Sequence, residues 1–150
     1  MTNRTTTTRE QLPIAVYGTL RVGHGNHRLM AGRTSDIVTG IVDSHELVVD
    51  GLPFARPSTH GGLVVEVMWP LPHLYDEVLD DLDRLEGYHP ERPETSFYIR
   101  TEVNVHTTQG DVQAWLYEAG ERTRERLRHL PATASGDYST VRRPTTEAVA

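Results

Sequence analysis

Two places in the sequence combine residue types and positions suited to chemistry. The first is Glu86, in Leu82-Asp83-Arg84-Leu85-Glu86-Gly87-Tyr88. Leu74, Val78, Leu82 and Leu85 recur every three or four residues and predict an amphipathic helix, with Asp76, Glu77, Asp80, Asp81 and Asp83 on its other face. Gly87 is its expected stop, which puts Glu86 in the last turn, at the negative end of the helix dipole and at the edge of the apolar stripe. Desolvation and dipole both oppose ionisation there, so the carboxyl should hold its proton to higher pH. Such a group is suited to taking a proton and returning it near neutrality, and the same placement equally fits a glutamate that extends from a helix end into solvent. The second place is "VYGTLRVG", residues 16 to 23, where a short apolar strand runs into Tyr17-Gly18-Thr19-Leu20. Gly18 and Gly23 let the backbone turn tightly and approach a ligand, and N–H groups of a strand-to-helix loop suit a carboxylate.

Other candidates read as structure. His24 and His27 are three apart but have no third ligand at metal-site spacing, so no zinc is expected. The acidic run from Asp76 to Asp83 lacks a calcium-loop pattern and reads as a solvated helix face. Arg122, Arg124, Arg126 and Arg128 alternate with Glu121 and Glu125, the pattern of a salt-bridged surface. Ser58 and Ser135 lie in no nucleophile elbow. There is no cysteine, and all 15 basic residues are arginine, which excludes thiolate, disulfide, Schiff-base and Walker-type phosphate chemistry. The net charge of −6 argues against nucleic acid as a partner.

The elements that must position these residues fit one domain in 150 residues. Ile14 to Tyr17 reads as a buried strand, and residues 24–31 as a short helix capped by Asn26 and stopped by Gly32. Four β segments follow, "DIVTGIVDS", "HELVVDG", "GLPFARPS" and "GGLVVEVMW", the last with Glu66 set among apolar neighbours. After the acidic helix, "FYIRTEVNVHT" places Tyr98, Arg100, Glu102 and Asn104 on one face and Phe97, Ile99, Thr101, Val103 and Val105 on the other. Gln109-Gly110-Asp111 turns it into "VQAWLYEA" as a hairpin. "GERTRERLRHLP" predicts a charged helix. Six or seven short strands with two or three helices fit an α+β fold, a small curved or closed β-barrel with helices packed on it. Residues 1–12 read as a disordered Thr-rich leader, 13–138 as the domain and 139–150 as a flexible tail. The start has no apolar region of a secretory signal and no stretch is long enough to span a membrane, so cytoplasm is the expected compartment. No heptad or exposed apolar stripe demands a partner, so a monomer or weak homodimer is expected.

Taken in order, "VYGTLRVG", "LDRLEGY", "FYIRTEVNV", "AWLYEA" and "ASGDY" resemble the γ-glutamylcyclotransferase-like superfamily, in its AIG2-like type, over about residues 13 to 138. The resemblance implies a mixed barrel with its pocket at the mouth and a metal-independent, cofactor-free cyclotransferase. Its substrate would be a γ-glutamyl amide or dipeptide, released as 5-oxoproline and a free amine. It assigns the catalytic glutamate to Glu86 and substrate binding to Tyr17, Gly18, Thr19, Leu20, Arg21, Tyr98, Arg100 and Tyr117, the last at an aromatic position that lines the pocket. The alternative from a different class is a non-catalytic module that binds a small carboxylate or amide in the same pocket. An amide-cleaving activity on a non-glutamyl substrate is a third reading.

Overall fold

Alternating apolar and polar residues set the longest ladder in the molecule. In the computed structural model, which describes residues 11–141, β6 (Tyr98–Thr107) and β7 (Gly110–Ala119) pair antiparallel from Tyr98↔Ala119 to Thr107↔Gly110. The turn lies at residues 108 and 109, and Gly110, with φ +109°, already pairs with Thr107, so it sits slightly earlier than expected. The remaining strands are β1 (Ile14–Val16), β2 (Thr34–Val42), β3 (His45–Asp50), β4 (Leu52–Pro57) and β5 (Leu63–Pro70). Five of them close a barrel in the order β1-β5-β2-β6-β7, sealed by a parallel β1–β7 contact while the other neighbours run antiparallel. Closure leaves no free edge in this sheet. β3 and β4 form a separate two-stranded sheet.

The buried residues fall into two clusters, one inside the barrel and one where β4 and a helix cover part of its outer face, while the outer face of β2 stays exposed. One face turns Ala15, Val65, Val67, Val103, Val105, Ala114 and Leu116 into the interior. The other presents Ile14, Val16, Met68, Tyr98 and Tyr117 to Phe54 of β4 and to the helix α1 (Tyr75–Glu86). Along β6 the two faces divide as the alternation predicts, with Val103 and Val105 inside and Tyr98 outward, under cover.

Helix α1 follows a 3-10 turn at Pro72–Leu74 and buries Tyr75, Val78 and Leu82. Leu85, expected on the same stripe, is instead 41% exposed. The stripe steps by four from Val78 to Leu82 and then to Glu86, which rotates Leu85 off the core face. Tyr75 ties the helix down: its hydroxyl donates to the Leu12 carbonyl (2.7 Å) and accepts from Trp115 Nε1 (3.0 Å). Gly87, at φ +68°, takes the left-handed conformation that ends the helix, and the Tyr88 N–H closes it on the Asp83 carbonyl (2.9 Å). Two short helices, α2 (Glu121–Leu127) and α3 (Tyr138–Val141), complete the described chain.

The helix predicted over residues 24–31 is a 3-10 segment, Gly25–Leu29. His24 occupies the cap position without a side-chain cap, and Asn26 instead donates from Nδ2 to Thr19 Oγ1 (2.8 Å). Of the leader and tail, residues 1–10 and 142–150 lie outside the described residues. Leu12 is buried against the domain, and α3 carries ordered backbone past residue 138.

Candidate active site

β1 stops after three residues, and the chain folds back on itself at once. The Arg21 N–H donates to the Gly18 carbonyl (3.1 Å), His24 to Arg21 (3.0 Å) and Asn26 to Thr19 (2.8 Å). These turns occupy carbonyls, while the N–H groups of Gly18, Thr19 and Leu20 donate to nothing among the described residues. Gly18 has a steric reason as well. A Cβ there would stand 2.6 Å from Pro53 Cγ, so only glycine lets the β3–β4 sheet close over the loop.

That closure frames a cavity of about 250 Å³. The loop residues Tyr17, Gly18, Thr19 and Leu20 line it from one side, Leu52 and Pro53 from above, Glu86 from the end of α1, and Tyr98 and Tyr117 from the barrel wall. The tyrosines hold the walls together. Tyr17 donates to the Tyr117 carbonyl (2.6 Å) and accepts from the Ala55 N–H (2.9 Å), and Tyr98 donates to the Pro53 carbonyl (2.7 Å). Both contacts to Pro53 and Ala55 fasten β4 to the barrel above the cavity.

Glu86 is the one charged side chain in this lining, and its carboxyl makes no hydrogen bond among the described residues. Burial first, and then the nearby Asp83 carboxylate, push its pKa up to about 7. Burial also raises the hydroxyl pKa values of Tyr17, Tyr98 and Tyr117, and the Glu86 charge adds to the effect in all three. Glu86 therefore exchanges its proton near neutrality while the tyrosines keep theirs.

Asp83, one turn before Glu86, was expected on the solvent face and is partly buried in a network instead. It accepts from Tyr117 Oη (2.6 Å) and, through both oxygens, from Arg100 Nε (3.0 Å) and Nη2 (3.1 Å). The guanidinium of Arg100 also lies over the rings of Trp115 (4.9 Å) and Tyr88 (5.5 Å). Arg100 thus does not line the cavity, because its fork is spent on Asp83. Arg21 is likewise turned away from it. Only 8% exposed, it donates to Glu66 Oε2 (3.3 Å) and Asp137 Oδ1 (2.7 Å), while Glu66 Oε1 accepts from the Val22 N–H (2.8 Å). Of the site residues read from the sequence, the structure brings together Tyr17, Gly18, Thr19, Leu20, Glu86, Tyr98 and Tyr117, and leaves Arg21 and Arg100 in the supporting framework.

Residues 14–140 match the family described as Gamma-glutamyl cyclotransferase, AIG2-like. The chain belongs to this family. Its fold is shared with PH0828, an uncharacterized protein of Pyrococcus horikoshii, at 26% identity over 87% of this chain and 92% of that one, with a TM-score of 0.57. YkqA of Bacillus subtilis is similar at 21% identity over 93% of this chain and 43% of that one (TM-score 0.63). A protein of Arabidopsis thaliana, solved in solution, is similar at 20% identity over 92% and 76% of the two chains (TM-score 0.62). No curated protein gives a significant match.

In this AIG2-like chain, Glu66, Asp83, Asn26 and Pro53 complete the site without having been read as site residues. Glu66 had a visible signal, a lone carboxylate within an apolar strand, and Asp83 had its i−3 spacing from Glu86. Nothing local marked Pro53, whose place depends on the β3–β4 sheet folding back. Among the described residues no group of three or more His, Asp or Glu is placed to hold a metal, and no helix is long and apolar enough to cross a membrane.

Proposed function

We propose that this cavity cyclises γ-glutamyl amides, releasing 5-oxoproline and a free amine, with Glu86 as the proton carrier. The Glu86 carboxylate takes a proton from the substrate α-ammonium. The freed amine attacks its own γ-carbonyl carbon, forming the ring C–N bond, and the original amide C–N bond breaks as the intermediate collapses. Glu86 returns its proton to the departing nitrogen, and the second proton shed by the ring nitrogen ends on the same amine. No water and no net proton are consumed. Because the reaction is intramolecular, holding the glutamyl chain folded supplies much of the rate. The N–H groups of Gly18, Thr19 and Leu20 suit the α-carboxylate and the developing oxyanion.

The observation that carries this reading is the unpaired Glu86 carboxyl, held near pKa 7 and lining the same cavity as those three amides. Purified protein incubated with γ-glutamyl methylamide, γ-glutamyl amino acids and glutathione is expected to yield 5-oxoproline by mass spectrometry, and Glu86→Gln is expected to yield none above background. A folded wild type that binds these compounds without product would make this a binding module, and equal product from Glu86→Gln would remove Glu86 from the mechanism.

A further inference from the structure

Resting on that reading, the substrate's α-carboxylate enters a cavity whose lining holds no cation. Arg21 and Arg100 are held by Glu66, Asp137 and Asp83. The half-exposed Arg126 stands outside the lining, over the Phe97 ring (5.6 Å) and with Asp50 Oδ2 at 3.6 Å. Neutral donors must therefore receive the carboxylate. Its two oxygens offer about four acceptor sites, and the developing oxyanion needs donors of its own, more than the amides of Gly18, Thr19 and Leu20 can serve. The hydroxyls of Tyr17, Tyr98 and Tyr117 do not make up the difference, since their protons go to the Tyr117 carbonyl, the Pro53 carbonyl and Asp83. The side chains of the lining with donors still to give are Thr19 and Asn26.

A hydroxyl can donate or accept, and a short relay in the 3-10 segment decides which. Arg28 carries donors only. Its Nη1 donates to the Gly25 carbonyl (3.0 Å) and to Asn26 Oδ1 (3.3 Å), which turns the Asn26 oxygen toward the guanidinium and leaves Nδ2 for the loop. Nδ2 donates to Thr19 Oγ1 (2.8 Å). An amide nitrogen cannot accept, so the Thr19 hydroxyl must send its own proton elsewhere, and no acceptor receives it among the described residues. The Asn26 backbone N–H also donates to the Thr19 carbonyl (2.8 Å). One residue thus fixes both the backbone of Thr19 and the direction of its hydroxyl proton.

We infer that Asn26 is a positioning residue that holds the Thr19 hydroxyl as a donor to the substrate's α-carboxylate. The test is a double-mutant cycle read in kcat and KM with γ-glutamyl methylamide, and in its dissociation constant by calorimetry in the Glu86→Gln background. Thr19→Val, which keeps the shape and loses the hydroxyl, is expected to raise KM about tenfold or more while kcat stays within about threefold, the worth of a hydrogen bond to a charged group. Thr19→Ser keeps the hydroxyl and should regain most of that loss. Asn26→Leu should raise KM severalfold alone and add nothing in the Thr19→Val background, because the group it directs is then gone. A merely structural Asn26 would lower kcat as well and multiply the Thr19→Val effect, which overturns the inference. A Thr19→Val loss confined to kcat would put the hydroxyl on the oxyanion and overturn it too. If the dissociation constants follow the expected pattern but the wild type makes no 5-oxoproline, the cyclotransferase fails and this inference stands. Neither binding nor product overturns both.

Discussion

Burial and the Asp83 carboxylate both keep the proton on Glu86, and the cavity offers it no competing partner. In the proposed mechanism the ionised form accepts the substrate proton, so kcat/KM should fall about tenfold per pH unit below about 7. A pH–rate profile checks this, and an acid limb centred near the ordinary carboxylate range would contradict it. Replacing Asp83 by Asn removes a charge that opposes Glu86 ionisation, so the acid limb should move to lower pH. Asn retains an oxygen for Tyr117, which limits the packing change. Glu86→Gln should lower kcat by roughly two to four orders of magnitude, the usual worth of a general acid–base group. Glu86 was legible in the sequence because a helix stop fixes the last turn, whatever the tertiary fold. The places of Arg21 and Arg100 depend on contacts distant in sequence: Glu66 and Asp137 hold Arg21, and Asp83 holds Arg100, outside the cavity lining.

The loop after β1 is turned by its own backbone hydrogen bonds and braced from outside by other elements. Glu66 of β5 grips Arg21 and the Val22 N–H, and Asp137, just before α3, grips Arg21 from the other side. Next to it, His24 Nε2 lies 3.0 Å from Ser139 Oγ and the His24 ring packs on Tyr138. Asp137→Ala leaves the buried Arg21 with one carboxylate partner. It should cost on the order of 1–3 kcal/mol in a urea melt and lower kcat/KM by loosening the Gly18–Leu20 amides. Unchanged stability and rate would show that the C-terminal segment does not brace the loop. Gly18→Ala should drive its methyl into Pro53, costing about 1–3 kcal/mol and shifting β4 off the cavity. The strands and α1 were readable from their periods. The separate β3–β4 sheet was not, because its pairing is with itself and its position over the barrel rests on the Tyr17 and Tyr98 hydroxyls, contacts 38 and 45 residues apart in sequence. Leu85 follows the same logic: its spacing matches the stripe, but only the packed helix shows it at the cavity rim.

Across the whole molecule, the closed barrel carries one unfavourably placed acid at the edge of its core. Glu86 has a folded pKa near 7 against 4.5 for the free group, so between these values the folded state binds the proton that the unfolded state has lost. Stability should therefore decline as pH rises from 4.5 to 7 and then level off, by an amount on the order of 3 kcal/mol from this group. Glu86→Gln should lack that decline and be the more stable protein at pH 8, as the removal of a buried carboxyl with a raised pKa predicts. Urea midpoints of both proteins across this range measure the difference, and parallel curves would contradict the burial of Glu86. The proposed chemistry is tested most directly by its oxygen balance. With γ-glutamyl methylamide as substrate in water labelled with heavy oxygen, mass spectrometry of the products should find 5-oxoproline without label, and no product in the Glu86→Gln reaction. Labelled glutamate in place of 5-oxoproline would mean that water, not the substrate's own amine, attacks the γ-carbonyl, and the cyclisation would be excluded.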